Sequence, residues 1–237
     1  MNGEKQSLGL GEELPAYMDL LSHDILNLNQ TVLSSIEFMT SSSSLDDRAM
    51  EHAERATSQI RISTLLVESI NKLCLLQKED DLRTTTVVLA DEVAKAIHAL
   101  NDILPHRGVR LTVESSPEAV VMDSKDMVSQ SILNALINMV QLDPSESPEI
   151  TIKTERPGTD GLTWRVRLED SNLALSKNLD LDTIVSESGE SRSKTVRLAG
   201  ILLSKMMVET LGGEIEIDCC NERGGAFLMT YRGAVST

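Results

Sequence analysis

Apolar residues recur every three or four positions through the first third of the chain. Leu14, Met18, Leu21, Ile25, Leu28, Val32, Ile36 and Met39 form one seam, the spacing of a helix with a single apolar stripe. Ala49, Ala53, Ala56, Ile60, Ser63, Val67, Ile70 and Cys74 form a second. Between them the run Ser41-Ser42-Ser43-Ser44-Leu45-Asp46-Asp47 is polar and predicts a turn, with Ser44 as helix N-cap and Asp47 three residues on. The pattern predicts an antiparallel helical hairpin. Helices of ~40 Å cannot bury so long a seam within one hairpin. Two hairpins paired about a twofold axis can, as a four-helix bundle, so a homodimer is expected.

After Leu82 the period shortens. Thr84–Ala90 is short and β-branched, and Asp91–Leu104 is amphipathic with a helical period. Val109–Glu114 and Val120–Met122 read as strands, Asp126–Leu142 as a helix. Ile150–Thr154 and Leu162–Leu168 predict a hairpin about Pro157-Gly158-Thr159-Asp160-Gly161. A polar stretch, Ser171–Thr195, precedes a helix over Leu198–Leu211, which Gly212-Gly213 ends. Glu214–Asp218 and Ala226–Tyr231 make a last hairpin. The class is α+β: a helical hairpin over residues 1–82, then an α/β sandwich with a mixed sheet over residues 83–237.

Composition narrows the function. The 237 residues carry 22 basic and 37 acidic side chains, a net charge of −15. That charge argues against a phosphate-backbone binder, and an aromatic content of 2% leaves no base-stacking platform. Nucleic acid is not an expected partner. Cys74, Cys219 and Cys220 have no zinc or redox spacing. No apolar run approaches membrane-spanning length and the N-terminus is polar, so the expectation is a cytoplasmic protein without membrane insertion and without a sensor of its own.

His23 carries the sharpest local chemistry. It stands two residues from both Leu21 and Ile25, roughly 200° around the helix from each, so it faces away from the seam. Asp24 follows it, and Asn27 lies one turn on along the same face. An outward imidazole with a neighbouring carboxylate is held in one tautomer, which leaves its other nitrogen nucleophilic.

The string Leu21-Ser22-His23-Asp24-Ile25-Leu26-Asn27 resembles the phosphoacceptor box of sensor histidine kinases. The resemblance implies that His23 is phosphorylated, that Asp24 acts as base or orienter, and that Asn27 positions a water for dephosphorylation. Leu28 stands where that family often has proline. Gln130 to Pro144, with Asn134 and Asn138 one turn apart, resembles the asparagine box of the GHKL-type ATPases. By that likeness Asn138 is the Mg²⁺ ligand, and Asn134 lies beside it at the ATP phosphates. Gln141 replaces the usual following cation.

Two further boxes are eroded. Asp170 remains where the family reads the adenine amino group, but Asn172 and Ala174 replace the glycines of that loop. Gly200 alone survives from the glycine pair expected before a phosphate-facing helix. Arg192, Lys194 and Arg197 are candidate phosphate contacts in a polar segment that would cover the nucleotide. Three readings follow from the resemblance. The first is a histidine kinase core that uses ATP and Mg²⁺ to phosphorylate His23, then passes the phosphoryl group to a response-regulator receiver domain. The second is a histidine phosphotransferase relaying between regulators with a degenerate ATPase domain. The third is a non-catalytic dimeric scaffold.

Overall fold

A computed structural model of the chain describes residues 10–42, 45–76, 83–157, 163–173, 192–218 and 224–234. The chain divides into two compact units, Met1–Asp81 and Leu82–Thr237.

The first unit contains two helices, α1 (Leu10–Ser42) and α2 (Asp47–Leu76). Ser44, the expected cap of α2, lies outside the described residues. Asp46 caps the helix instead, its Oδ1 accepting from the Ala49 backbone N–H at 2.7 Å, the bond that a residue just before a helix makes to the third helical amide. The face that α1 turns to α2 is partly polar. Ser22 and Ile36 are buried on it, and Asn29 Nδ2 donates to Ser63 Oγ at 3.1 Å and to Thr64 Oγ1 at 3.2 Å. From α2 come Ser58, Ile62, Leu65, Ser69 and Leu73. Most of the described part of the predicted α1 seam points elsewhere. Ile25, Leu28, Val32 and Met39 are exposed, Leu28 by 65%. Within one chain α1 therefore carries two stripes, one packed on α2 and one open.

The second unit is built on a five-stranded sheet ordered β2–β4–β5–β7–β6, with a separate two-stranded pair of β1 and β3. In chain order these are β1 (Thr85–Val88), α3 (Leu89–Ile103), a short 3-10 turn (Pro105–Arg107), β2 (Arg110–Glu114), β3 (Val120–Asp123) and α4 (Met127–Leu142). Then follow β4 (Glu149–Glu155), β5 (Thr163–Asp170), α5 (Arg192–Thr210), β6 (Glu214–Asp218) and β7 (Gly225–Arg232). Strands β2 and β4 are parallel and the remaining neighbours antiparallel. The mixed sheet with helices packed on it matches the expected class.

Alternation along the strands separates the two faces of the sheet. Ile150, Ile152, Trp164, Val166 and Leu168 are buried toward the helices. The other face carries charges that neutralise one another: Arg110 pairs with Glu149, Lys153 with Glu114 and Glu169, Arg165 with Glu216, and Arg167 with Glu169 and Asp218. A basin of about 940 Å³ is lined by four of these residues, Arg110, Glu149, Arg167 and Glu169, and reaches Asp170 and Gly224.

Helix α3 buries Leu89, Val93, Ala96 and Leu100 along one stripe, as its pattern predicts, although it begins two residues before the expected Asp91. Helix α4 is buried nearly all round, because α3 and α5 pack against it above the sheet. Helix α5 starts at Arg192, six residues before the expected Leu198. It ends in a paired bond, Gly213 N–H to the Val208 carbonyl and Gly212 N–H to the Glu209 carbonyl, both 2.9 Å. Gly212 has φ 72°, the left-handed conformation this ending requires.

Candidate functional site

His23 lies on the solvent side of α1, with 73% of its side chain exposed. Asn27 Nδ2 sits 3.1 Å from its Nδ1 and Asp24 Oδ1 3.6 Å from the same atom. Helical spacing brings Asn27 onto the ring, since residues four apart share a face. Both neighbours thus address Nδ1, while Nε2 has no hydrogen-bond partner among the described residues. An amide presents either end to a ring nitrogen. With Nδ2 toward the ring, Asn27 donates to Nδ1 and the ring proton sits on Nε2. Turned end for end, its oxygen accepts from Nδ1–H, the arrangement that the nearby Asp24 carboxylate favours, and the lone pair then resides on Nε2.

Asn134 and Asn138 do not lie on a polar helix face. Both are buried, Asn138 to 3% exposure, because α4 is covered from either side. Asn138 Nδ2 donates to the Asn134 backbone carbonyl at 3.0 Å. Its Oδ1 is buried with no donor among the described residues, the condition of an acceptor that suits a cation or a hydrated cation. Gly200 is not at a helix start. It lies within α5, so its N–H belongs to the helix ladder and is not free for an anion. Its role here is steric, since a Cβ at this position would stand 2.0 Å from Asn138 Nδ2. Arg192, Lys194 and Arg197 are within α5, and the covering segment before Arg192 lies outside the described residues.

Asp170 ends β5 on the buried face of the sheet. Its Oδ1 accepts from the Asn172 backbone N–H at 2.8 Å. Burial is the main cause that pushes its carboxyl up to about 6, with Asp143 adding to the rise and the Asn172 amide opposing it. Asp143 feels the same burial, but hydrogen bonds from Ser145, the Asp170 contact and Arg107 outweigh it and hold the group below the usual range. Arg107 Nη2 donates to the Val140 carbonyl at 2.9 Å, and to those of Asp143 and Ser145 at 3.3 Å.

Two residues of this site escape a linear reading. Asp143 sits in the quoted asparagine string without any chemical role suggested by spacing; only the sheet brings it to Asp170. Gly224, which reads as a hairpin glycine, packs on the Asp170 turn: a Cβ there would lie 2.0 Å from the Asp170 carbonyl oxygen. Its φ of 90° further restricts the position to glycine.

A separate carboxylate group, Glu92, Asp123 and Asp126, brings its oxygens within 4.8 Å of one another. Lys95 supplies the counter-charge at 2.7 Å from Glu92, and Asp123 Oδ1 accepts from the Val128 N–H at the start of α4. These are structural roles.

No protein-family model matches the chain and no curated protein matches it. Solved structures do. The full-length ShkA structure in complex with AMPPNP has a TM-score of 0.64 at 14% identity, over 94% of this chain and 47% of ShkA. The Acinetobacter baumannii histidine kinase AdeS gives 0.53 at 14% identity, over 87% of this chain and 96% of its own. The mycobacterial sensor histidine kinase MprB gives 0.52 at 13%, over 64% and 98%. The chain spans about half the length of ShkA. At these identities the likeness is one of fold, and the fold is that of a sensor histidine kinase core. Among the described residues no helix is long and apolar enough to cross a membrane.

Proposed function

We propose that the chain is the core of a two-component histidine kinase that phosphorylates His23 and hands the phosphoryl group to an aspartate of a response-regulator receiver domain. One observation carries this reading: His23 stands outward with its Nδ1 edge addressed by Asn27 and Asp24 and its Nε2 edge open. An imidazole so held is a nucleophile presented for in-line transfer. Mg-ATP supplies the γ-phosphoryl group. Asn138 Oδ1 would hold the metal, Asn134 would stand beside it, and Asp170 would accept from the adenine amino group. Asp24 orients or deprotonates the ring, and Asn27 supports hydrolysis of the phosphohistidine. The exposed stripe of Ile25, Leu28, Val32 and Met39 supports an antiparallel hairpin that pairs with a second copy into a four-helix bundle.

The contact between Gly200 and Asn138 favours a second reading, a histidine phosphotransferase. With Gly200 inside α5, no glycine amide is offered to phosphates there, and α5 presses on the metal-facing asparagine. His23 would then receive its phosphoryl group from one receiver domain and pass it to another.

Radiolabel transfer separates the two. Label from γ-labelled ATP on wild type, lost in His23→Gln and in Asn138→Ala, is expected for the kinase. Label that arrives only from a phosphorylated receiver, and is lost in His23→Gln alone, establishes the relay. No label on His23 from either donor sinks both.

A further inference from the structure

Two carboxyl groups meet in the interior of the second unit. Asp143 directly follows α4 and Asp170 closes β5, and their side chains lie within hydrogen-bonding reach of each other. The residues are 3% and 1% exposed. Each has one oxygen fixed by a backbone amide: Ser145 N–H donates to Asp143 Oδ1 at 2.6 Å, and Asn172 N–H to Asp170 Oδ1 at 2.8 Å. These bonds set the planes of both groups. The two Oδ2 atoms that remain are buried and have no donor among the described residues.

Two buried carboxylates in contact cannot both ionise cheaply. A donor must stand between them, and a proton or a ligand N–H would serve. The surroundings decide where the charge goes. Arg107, from the turn before β2, faces Asp143 and favours its ionised form. On the Asp170 side the nearest groups are the Asn172 and Leu173 amides and the Gly224 backbone. The basin that Asp170 lines also holds Arg110, Glu149, Arg167 and Glu169, two charges of each sign that pair with one another.

We propose that Asp143 is a second recognition residue of the pocket to which Asp170 belongs, and that the pair shares one proton which a ligand amino group displaces on binding. The ligand part rests on the reading of this pocket as a purine-nucleotide site. In the exchange the proton leaves for solvent, the amino N–H donates to the freed Asp170 Oδ2, and no covalent bond forms or breaks. Binding of an amino-bearing purine nucleotide is therefore coupled to proton release and tightens as pH rises from about 5 to 7. Inosine diphosphate, with an oxygen in place of the amino group, gains nothing from the exchange.

Two measurements on the full chain test this. Carbon-detected NMR titration of the aspartate carboxyls is expected to show Asp170 titrating near 6 in wild type and at least tenfold weaker proton binding in Asp143→Asn, with Asp143→Ser as a second variant should the first fold poorly. An Asp170 titration unchanged in both variants overturns the shared proton. Calorimetry of Mg-ADP at pH 6, in two buffers of different ionisation heat, is expected to show about half a proton released per nucleotide by wild type and none by Asp143→Asn. ADP binding without proton release overturns the proposal and leaves the nucleotide reading standing. Absence of ADP binding at every pH overturns the nucleotide reading and the ligand half with it, while the titration still decides whether the pair shares a proton.

Discussion

Gly200 of α5 rests directly on the side-chain amide of Asn138 of α4: a Cβ on the glycine would stand 2.0 Å from Nδ2 and 3.1 Å from the Asn134 carbonyl oxygen. Two helices cross here with the Asn138 amide lying between them. Alanine at this position gains about 1 kcal/mol of helix propensity, but it drives the Asn138 amide off its bond to Asn134. Overpacking of this kind costs about 1–3 kcal/mol, so Gly200→Ala is expected to be net destabilising. The check is a double-mutant cycle in urea. Gly200→Ala and Asn138→Ala should couple by about 1–2 kcal/mol, and strict additivity would refute the contact.

The open stripe on α1 makes a prediction about assembly. Leu28→Asp with Val32→Asp places two charges where Leu28 and Val32 are now exposed apolar side chains. If that stripe is the seam of a twofold bundle, the double variant sediments at half the wild-type mass with its helix content largely retained. Equal masses for the two proteins at all concentrations would exclude the seam.

Among the described residues, the side-chain cap of α2 is Asp46. Asp46→Ala removes the acceptor for the Ala49 amide and should cost about 1 kcal/mol. Ser41→Ala, whose hydroxyl donates to the Phe38 carbonyl on an exposed turn, should change stability by less than about 0.5 kcal/mol. Thermal melts followed at helix wavelengths distinguish them.

Asp170 sets a pH dependence with a definite sign. Its folded carboxyl titrates near 6, against 3.8 for an ordinary aspartate, so between those values the native state holds more protons than the unfolded chain. Its contribution to stability is complete below that window and is lost as pH rises through it. Asp170→Asn should remove this loss, becoming more stable than wild type at pH 7.5 relative to its standing at pH 4.5. The lowered Asp143 acts in the opposite sense at lower pH. Urea midpoints at the two pH values decide the matter; parallel shifts in both proteins would contradict it.

Most elements of the second unit are legible in the sequence, because the period of two in β4 and β5 and the stripe of α3 each reflect a single buried face. Helix α4 hides its surroundings. Its apolar residues suggest one face and its asparagines another, yet neighbours on both sides bury Asn134 and Asn138 together. The start of α5 is equally obscure, since Arg192-Ser193-Lys194-Thr195 has no apolar residue and reads as loop. Asp143 and Asp170 are joined only through the β4–β5 pairing, a relationship that spacing along the chain does not encode. On α1, one heptad reading merged two stripes: Ile36 went to the face on α2 while Leu28 and Val32 stayed outside.

The polar character of that inner face has a consequence for how the first unit behaves on dilution. Ser22, Asn29, Ser58, Ser63 and Ser69 occupy ground where long apolar side chains would otherwise hold α1 to α2. Hydrogen bonds of this kind contribute only about 1 kcal/mol each, and in the proposed dimer the exposed Ile25, Leu28, Val32 and Met39 of α1 are covered by the second copy. If that dimer forms, folding and pairing of this half are one equilibrium. Its melting temperature should climb with protein concentration, whereas that of the sheet unit should not.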